Sequence, residues 1–405
     1  MLSSIKLPNT VEEIKVSAFH GCPNLTSLTI PKSVTKLDDR FIVDCTGLQS
    51  IHVDELNENY FDVDGHSVVS KSGNLMQVVG AYPNSEYTLD ERITTVLPYA
   101  FSSNINITTL NLNENVSSIG FYNTKNISYV NLNNNLHFKY VNDEYGNKFL
   151  VKTNEGSKAY LCTLSLSTSK LHIIDTISSV EIFRPANVMN NYITTMEIGE
   201  NFNFDDSTFG SAAFQRITYY QVNSNNKHLK TLSNDEVLSF DGKIMYCYAQ
   251  KSLTTEYTIP DSVEDVRANF MHSTSLIKLT YTSSVKTTTG FVLRVMDKLT
   301  DLVLSGSLPN YTGNSCVNLR HVTLLSTVTS IGHSFLSQTV NNIEWLEFQS
   351  TTVPTINTTN FLKAVKSKTT FVIYVPDASV DAYKNATAFA NFVDRIKPVS
   401  ERPSA

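Results

Sequence analysis

Charge is scarce in this sequence. Lys, Arg, Asp and Glu together make up 17% of the 405 residues, where globular chains usually carry about 25%, and the net charge is only -6. No Lys/Arg cluster stands beside stacked aromatics, so the basic footprint of nucleic-acid binding is missing and no nucleic-acid partner is expected. Cysteine is sparse as well: the five, at 22, 45, 162, 247 and 316, include no C-x-x-C pair, the spacing that metal ligation or redox catalysis would use. The nine histidines form no i, i+4 pair, and nucleophile-elbow, P-loop and H-E-x-x-H patterns are absent, so neither an enzyme nor a cofactor or metal is expected. No run of about 18 apolar residues occurs and the chain does not open with a charged segment followed by an apolar one, so neither a membrane span nor a signal peptide is read. Tryptophan occurs once.

What is abundant is repetition. LSSIKLPNTVEEIKVSAFHGCPN, from Leu2, and LTSLTIPKSVTKLDDRFIVDCTG, from Leu25, share the frame L-x-x-I-x-I-(P)-x-x-V-x-x-I after 23 residues. Continued, the frame gives about fourteen coils, starting at Leu2, Leu25, Leu48, Asn84, Ile107, Ile127, Thr168, Ile193, Ile217, Thr254, Leu276, Leu299, Leu319 and Ile343. The fourth and sixth residue of every coil is apolar, and the fifth is polar in all but one, Val303. That period of two gives each coil one short strand with a dry and a wet face. No coil can bury its own ridge, so the coils must stack into a solenoid. Fourteen parallel strands about 4.8 Å apart would form a curved, elongated sheet on the order of 65 Å long.

Three coil intervals are longer, at 36, 41 and 37 residues. The first holds Asp64-Gly65 and the third Asp241-Gly242 between apolar alternations, with Tyr145-Gly146-Asn147 in the second, as expected of β-hairpins whose turns need positive φ. The chain re-enters the frame through EYTL (Glu86–Leu89) and EYTI (Glu256–Ile259) in one register. The expected organisation is a solenoid over 1–348, with hairpins inserted near 54–83, 133–167 and 223–253, and a capping segment of the same domain over 349–405. In that segment a strand-like run precedes Asp377, a helix N-cap by its position, and apolar residues at helical spacing. Short helical or irregular segments are expected on the convex side. Cys22, Cys45 and Cys316 each lie three residues before a coil start, which suggests one role as small buried groups, while stacking on adjacent coils leaves a Cys22–Cys45 disulfide geometrically open. DVDG at 62–65 faintly resembles a calcium loop, but the first ligand position falls on Tyr60 and the closing acid is missing, which favours a turn.

The motifs LTIPKSVTKL and EYTIPDSVEDV, with a following Phe and Cys, resemble the BspA-like leucine-rich repeat family, as do the DG hairpins and the tail IYVPDASVDAYK. The resemblance runs along essentially the whole chain, with departures such as FRPANVMNNY. It implies a leucine-rich-repeat solenoid with a parallel sheet on the concave face, from a bacterial protein that is secreted or held at the cell surface and adheres to host proteins or other cells. It transfers no catalytic or binding residue.

Binding is expected on the wet strand positions, the third and fifth of each coil, a wall that solenoids commonly use for partners. Amphipathic rings stand there at His52, Tyr129, His172, Tyr219, His321 and Trp345, and spaced acids at Glu86, Glu197, Glu256, Asp301 and Glu347. The rings can anchor a partner, or merely pair with cross-strand neighbours, and Trp345 can be covered by the terminal segment. The leading expectation is a monomer that binds a host extracellular or cell-surface protein. Glycan binding, with Tyr129, Tyr219 and Trp345 stacking on sugar rings, and an exported structural scaffold are the alternatives.

Overall fold

The computed structural model describes residues 2–121, 124, 126–164, 168–180, 183–185, 193–204, 216–249, 251–267, 275–288, 296–338 and 342–403. They divide into two compact units, Met1–Tyr192 and Ile193–Ala405. Both are parallel β-solenoid built from the same coil, and the only α-helix among the described residues is Val380–Asn385. Of the short helical or irregular segments expected between strands, those among the described residues are turns and irregular backbone, with one 3-10 turn at Lys363–Val365. No helix among the described residues is long and apolar enough to cross a membrane.

The apolar frame is the core. Every fourth coil residue except Ile5 is buried, as is every sixth except Leu7, Leu132 and Val222. In the first unit Ser27–Ile30 pairs in parallel with Ser50–Val53, setting Leu28 beside Ile51 and Ile30 beside Val53. Glu86–Thr88, Thr109–Asn111 and Tyr129–Asn131 form a further run with Tyr87, Leu110 and Val130 in register. In the second unit Thr195–Ile198 pairs with Tyr219–Val222. A seven-stranded sheet then runs through Glu256–Thr258, Lys278–Thr280, Asp301–Leu304, His321–Leu324, Trp345–Phe348, Val372–Val375 and Ile396–Pro398, two strands beyond the last coil of the frame.

A second ladder, not anticipated from the sequence, runs along the coils beside the first. It is made of two-residue strands at the end of the V-x-x-I element: Glu13–Ile14 pairs with Lys36–Leu37, Thr95–Val96 with Ser118–Ile119, and Asp265–Val266, Thr287–Thr288, Ser307–Leu308, Ser330–Ile331 and Thr355–Ile356 follow one another in order. The Pro-x-Ser-Val turn links the two ladders. Its Pro carbonyl accepts from the Val N–H, as in Val34 to Pro31 (3.2 Å) and Val263 to Pro260 (2.9 Å). Its Ser hydroxyl reaches back one coil, Ser33 to the Val11 carbonyl (2.7 Å) and Ser262 to the Gly242 carbonyl (3.0 Å).

The main ladder is not one continuous wall. It breaks at each insertion, and the insertions are three-stranded rather than simple hairpins. Tyr60–Val63, Ser67–Ser70 and Asn74–Val78 form an antiparallel meander whose last strand pairs in parallel with Thr95–Val96, so the insertion feeds the second ladder. Phe138–Asn142, Lys148–Lys152 and Lys158–Leu164 repeat the arrangement and join Ser179–Val180. Leu229–Lys230, Glu236–Ser239 and Ile244–Tyr248 repeat it again and join Asp265–Val266.

An edge strand with bare N–H groups needs a partner, and each insertion supplies one at the same coil position. The fourth-residue N–H donates to the Gly65 carbonyl from Ile51 (2.8 Å), to the Tyr140 hydroxyl from Val130 (3.0 Å) and to the Asn234 carbonyl from Tyr220 (2.8 Å). The second ladder is closed likewise where Leu37 N–H donates to the Tyr60 hydroxyl (2.9 Å).

The turn chemistry corrects one expectation. Asp64 and Gly65 have φ of 51° and 69° and join the first and second strands of their insertion, with Gly146 (φ 86°) at the same place in the second. Asp241-Gly242 lies one turn later, between the second and third strands, where the first insertion has Gly73. The sequence could not separate the two places because each is a Gly turn between apolar alternations. Each insertion opens on a buried asparagine: Asn57, Asn135 and Asn226. In each, Nδ2 donates to two carbonyls of the preceding coil while Oδ1 accepts the N–H groups two and three residues ahead.

At the C-terminus the strand Val372–Val375 forms as expected, but Asp377 does not cap the α-helix. It starts a 3-10 turn, Asp377–Ser379, and its Oδ1 accepts from Ser400 N–H (3.1 Å). Tyr383 and Phe389 pack on Phe348 with ring centroids 5.2 and 5.5 Å away, which covers the last coil.

Candidate functional site

The third coil position puts side chains on the wet face of the main ladder, and Tyr129 and Tyr219 emerge there 41% and 38% exposed. Tyr129 is steadied from its own unit: its ring stacks on Tyr140 at 6.0 Å and 6°, and Lys148 Nζ lies 6.0 Å from its centroid. Burial pushes the Tyr140 phenol above its ordinary range, so the hydroxyl that clamps Val130 stays protonated. His52 is exposed and flanked by an insertion, with Nδ1 3.9 Å from Asp62 Oδ1. His172 Nδ1 lies 2.9 Å from Glu144, and that hydrogen bond holds the Glu144 carboxyl below the usual carboxylate range. His52, Tyr129 and His172 sit on separate strands in three different runs of coils, and the structure does not bring them together.

The other two predicted residues do meet. His321 and Trp345 occupy neighbouring strands, opposite each other in register, with rings stacked at 4.8 Å and 17°. His321 Nδ1 is 2.8 Å from Asp301 Oδ1 and Nε2 is 3.4 Å from Glu344 Oε2, while Arg320 reaches the other Glu344 oxygen at 3.2 Å. Tyr374 stands edge-on to Trp345 at 6.5 Å. Arg402 lies over the indole, its guanidinium carbon 4.9 Å from the centroid, and pairs with Glu347. This corrects the reading of Glu347 as a solvated wall residue: Arg402 covers it and leaves it 4% exposed. Arg402, Glu344 and Tyr374 were not found from the sequence because they lie outside the strand positions that the frame marks as wet, or beyond its last coil. The proximity of Arg402 to Glu347, 55 residues away, has no local signal.

Other polar groups are engaged by the fold itself. Asp62 Oδ2 accepts from Val53 N–H (2.8 Å) and Oδ1 from Gly65 N–H (2.9 Å), which is the work of a turn carboxylate. Cys22 and Cys45 are free thiols, and Cys45 Sγ instead points its hydrogen at the Phe19 carbonyl, 2.7 Å away. Burial pushes the Cys45 thiol up to about 11 and Cys247 up to about 12, far from the thiolate form that nucleophilic or metal chemistry uses. Two sequon asparagines, Asn106 and Asn126, donate through Nδ2 to carbonyls of the preceding coil, so the atom a glycan would occupy already serves the stack.

A family model described as "BspA type Leucine rich repeat region" matches the chain in six copies over residues 1–68, 81–144 and 244–368. No curated protein matches. Among solved structures the chain is similar to a leucine-rich repeat protein from Eubacterium ventriosum, with 18% identity, a TM-score of 0.44 and coverage of 78% of this chain and 82% of that one. It is also similar to a leucine rich cell surface protein from Faecalibacterium prausnitzii (15%, TM-score 0.33, 93% and 80% covered) and to the pneumococcal vaccine antigen PcpA (12%, TM-score 0.37, 96% and 83% covered). The repeat frame, the parallel solenoid it builds and a family model matched over more than half of the residues agree: the chain belongs to the BspA-type leucine-rich repeat family.

Proposed function

We propose that the chain is a non-enzymatic cell-surface or secreted repeat protein that binds another protein, of a host or of another cell, through wet side chains of its main ladders. The observation that carries this reading is the exposure of Tyr129 and Tyr219 on strands. A tyrosine held out by a rigid strand offers a large amphipathic surface at little cost in side-chain freedom, and such rings dominate the energetics of protein interfaces. The low charge of the chain as a whole favours recognition by packing and hydrogen bonds over steering by long-range fields. The repeat architecture supports the same reading, because stacked coils present extended binding surfaces.

Affinity capture with the intact chain against extracellular host proteins tests it, alongside the double variant Tyr129→Ala/Tyr219→Ala. The expected result is a partner enriched by the native chain and reduced about tenfold or more by the double variant. Enrichment that survives both changes would move the binding surface to the insertions or the second ladder, and no enrichment would favour an exported scaffold.

A further inference from the structure

Glu347 stands at a fifth coil position, where the other coils carry half-buried or exposed side chains, yet it is 4% exposed. Its carboxylate is held from two sides. Arg402 pairs with one oxygen, and Gln349 Nε2 donates to the other at 3.2 Å. The same guanidinium covers the Trp345 ring, which is backed by the stacked His321. Behind the ring, Asp301 and Glu344 converge on His321 and Arg320 pairs with Glu344, so with Arg402 lifted away three carboxylates face one arginine around the His321–Trp345 stack. An aromatic face, a desolvated carboxylate oxygen within hydrogen-bond reach and a surplus of acid together make a receptor for a guanidinium.

The group that fills this receptor arrives on a surface segment. Past the strand Ile396–Pro398 the chain makes a 3-10 turn, Val399–Glu401, and none of residues 397–403 is buried. Apart from Arg402, that turn is held by Asp377, whose carboxylate accepts from Ser400 N–H (3.1 Å) and also engages the Ser400 hydroxyl and the Val399 backbone, and by an exposed Lys397–Glu401 pair at 3.6 Å, and exposed pairs contribute little.

We propose that the Trp345–Glu347 box is a binding site for an arginine side chain of the partner protein, and that Arg402 occupies it in cis as a strap that the incoming arginine displaces. This rests on the protein-binding reading above and adds the chemistry of the contact. An occupant from the same chain lowers apparent affinity by the fraction of time it fills the site, so removing it should strengthen binding in trans.

Trp345 is the single tryptophan of the chain, so its emission reports on the box alone. The full chain is titrated with N-acetyl-Gly-Arg-Gly-amide, with the lysine tripeptide as control, in the native form, in Arg402→Ala and in Arg402→Ala/Glu347→Gln. With far-UV circular dichroism unchanged, Arg402→Ala is expected to shift the emission to the red and to raise its quenching by acrylamide. The arginine peptide then reverses both saturably, about tenfold more tightly than in the native chain and than the lysine peptide does, and the double variant does not respond. An unshifted emission in Arg402→Ala, a response to both peptides alike, or none to either, overturns the proposal. If Arg402→Ala fails to fold because it strands a buried carboxylate, Arg402→Lys serves in its place: a weaker strap must yield to the arginine peptide at lower concentration than the native one, and equal resistance overturns the proposal. The readout needs no partner, so a box that closes on arginine in a chain that captures nothing counts against the tyrosine surface alone. Capture without any response at Trp345 counts against the box alone.

Discussion

A buried asparagine is costly unless each of its polar atoms is used, and Asn57, Asn135 and Asn226 use all of theirs. Asn226→Ala removes two donors from carbonyls of the coil behind and the acceptor of two N–H groups ahead, so it is expected to cost about 2–4 kcal/mol in urea unfolding. Asn226→Asp keeps the acceptor but turns a carboxylate oxygen toward the Gly199 and Phe202 carbonyl oxygens that Nδ2 served, so it is expected to cost at least as much. Thiol reactivity gives a second check. At pH 8 a thiol whose pKa is about 11 holds roughly one thousandth of its population as thiolate, so a disulfide reagent followed by mass spectrometry should modify Cys22, the half-exposed one, while Cys45, Cys162 and Cys247 stay unmodified until the chain unfolds. Acids give a third. The Glu264 carboxylate accepts from Lys286 and Lys243, and that of Asp90 from Arg92, which holds both below their ordinary pKa. A carboxyl held low in the fold stabilises fully above its unfolded pKa and loses that contribution as pH falls through its folded one. The melting temperature should therefore hold down to about pH 5 and fall below about pH 4, with a shallower fall in Glu264→Gln. At this scale the buried half of the molecule was legible, since alternation marks a side chain as in or out. The asparagines were not, because Asn is common throughout the sequence, and Asn104 and Asn113 make the same set of hydrogen bonds outside the insertions.

An insertion in a stack of strands creates two edges, and the three-stranded form meets both. Its first turn or first strand occupies the N–H groups of the strand before it, and its last strand starts the second ladder afresh. The device depends on a turn that needs positive φ: at Gly65 (φ 69°) a Cβ would lie 2.6 Å from His52 Cε1. Gly65→Ala is expected to destabilise the chain by about 1–3 kcal/mol in a thermal melt, and His52→Ala in the same chain should restore part of that loss by removing the clash but not the backbone strain. The insertions were legible as lengthened intervals with Gly turns. Their third strand was not, although Gly73 turns the chain before Asn74–Val78, because that strand pairs onward with Thr95–Val96 of the second ladder, whose two-residue strands are too short to show a period. Helical spacing after Asp377 overstated the helix, since the apolar residues there follow the curvature of a cap made of 3-10 turns around Tyr383 and Phe389.

Within each unit the ladder contacts of the described residues run from coil to neighbouring coil, so stability is local. Ile5 and Leu7 of the first coil are only half-buried and residues 3–7 form no strand, whereas Leu28 and Ile30 are buried in a paired one. Hydrogen exchange read by mass spectrometry should accordingly be fastest in residues 3–7 and slow in Ser27–Ile30. The repeat frame and the wet face were legible at this scale because both follow from the period, but the frame stops two strands short of the end of the sheet. The meeting of Trp345 with Arg402 was not, because it joins the array to a tail with no period at all. One further consequence follows from the edge-closing insertions. They come after the third, sixth and ninth coils of the frame, so the chain is written as cassettes of three coils and a stop. A gene coding for such cassettes can be lengthened or shortened by whole units without leaving an unpaired strand or a shifted register at the join. In this design the number of coils becomes a quantity that recombination can adjust.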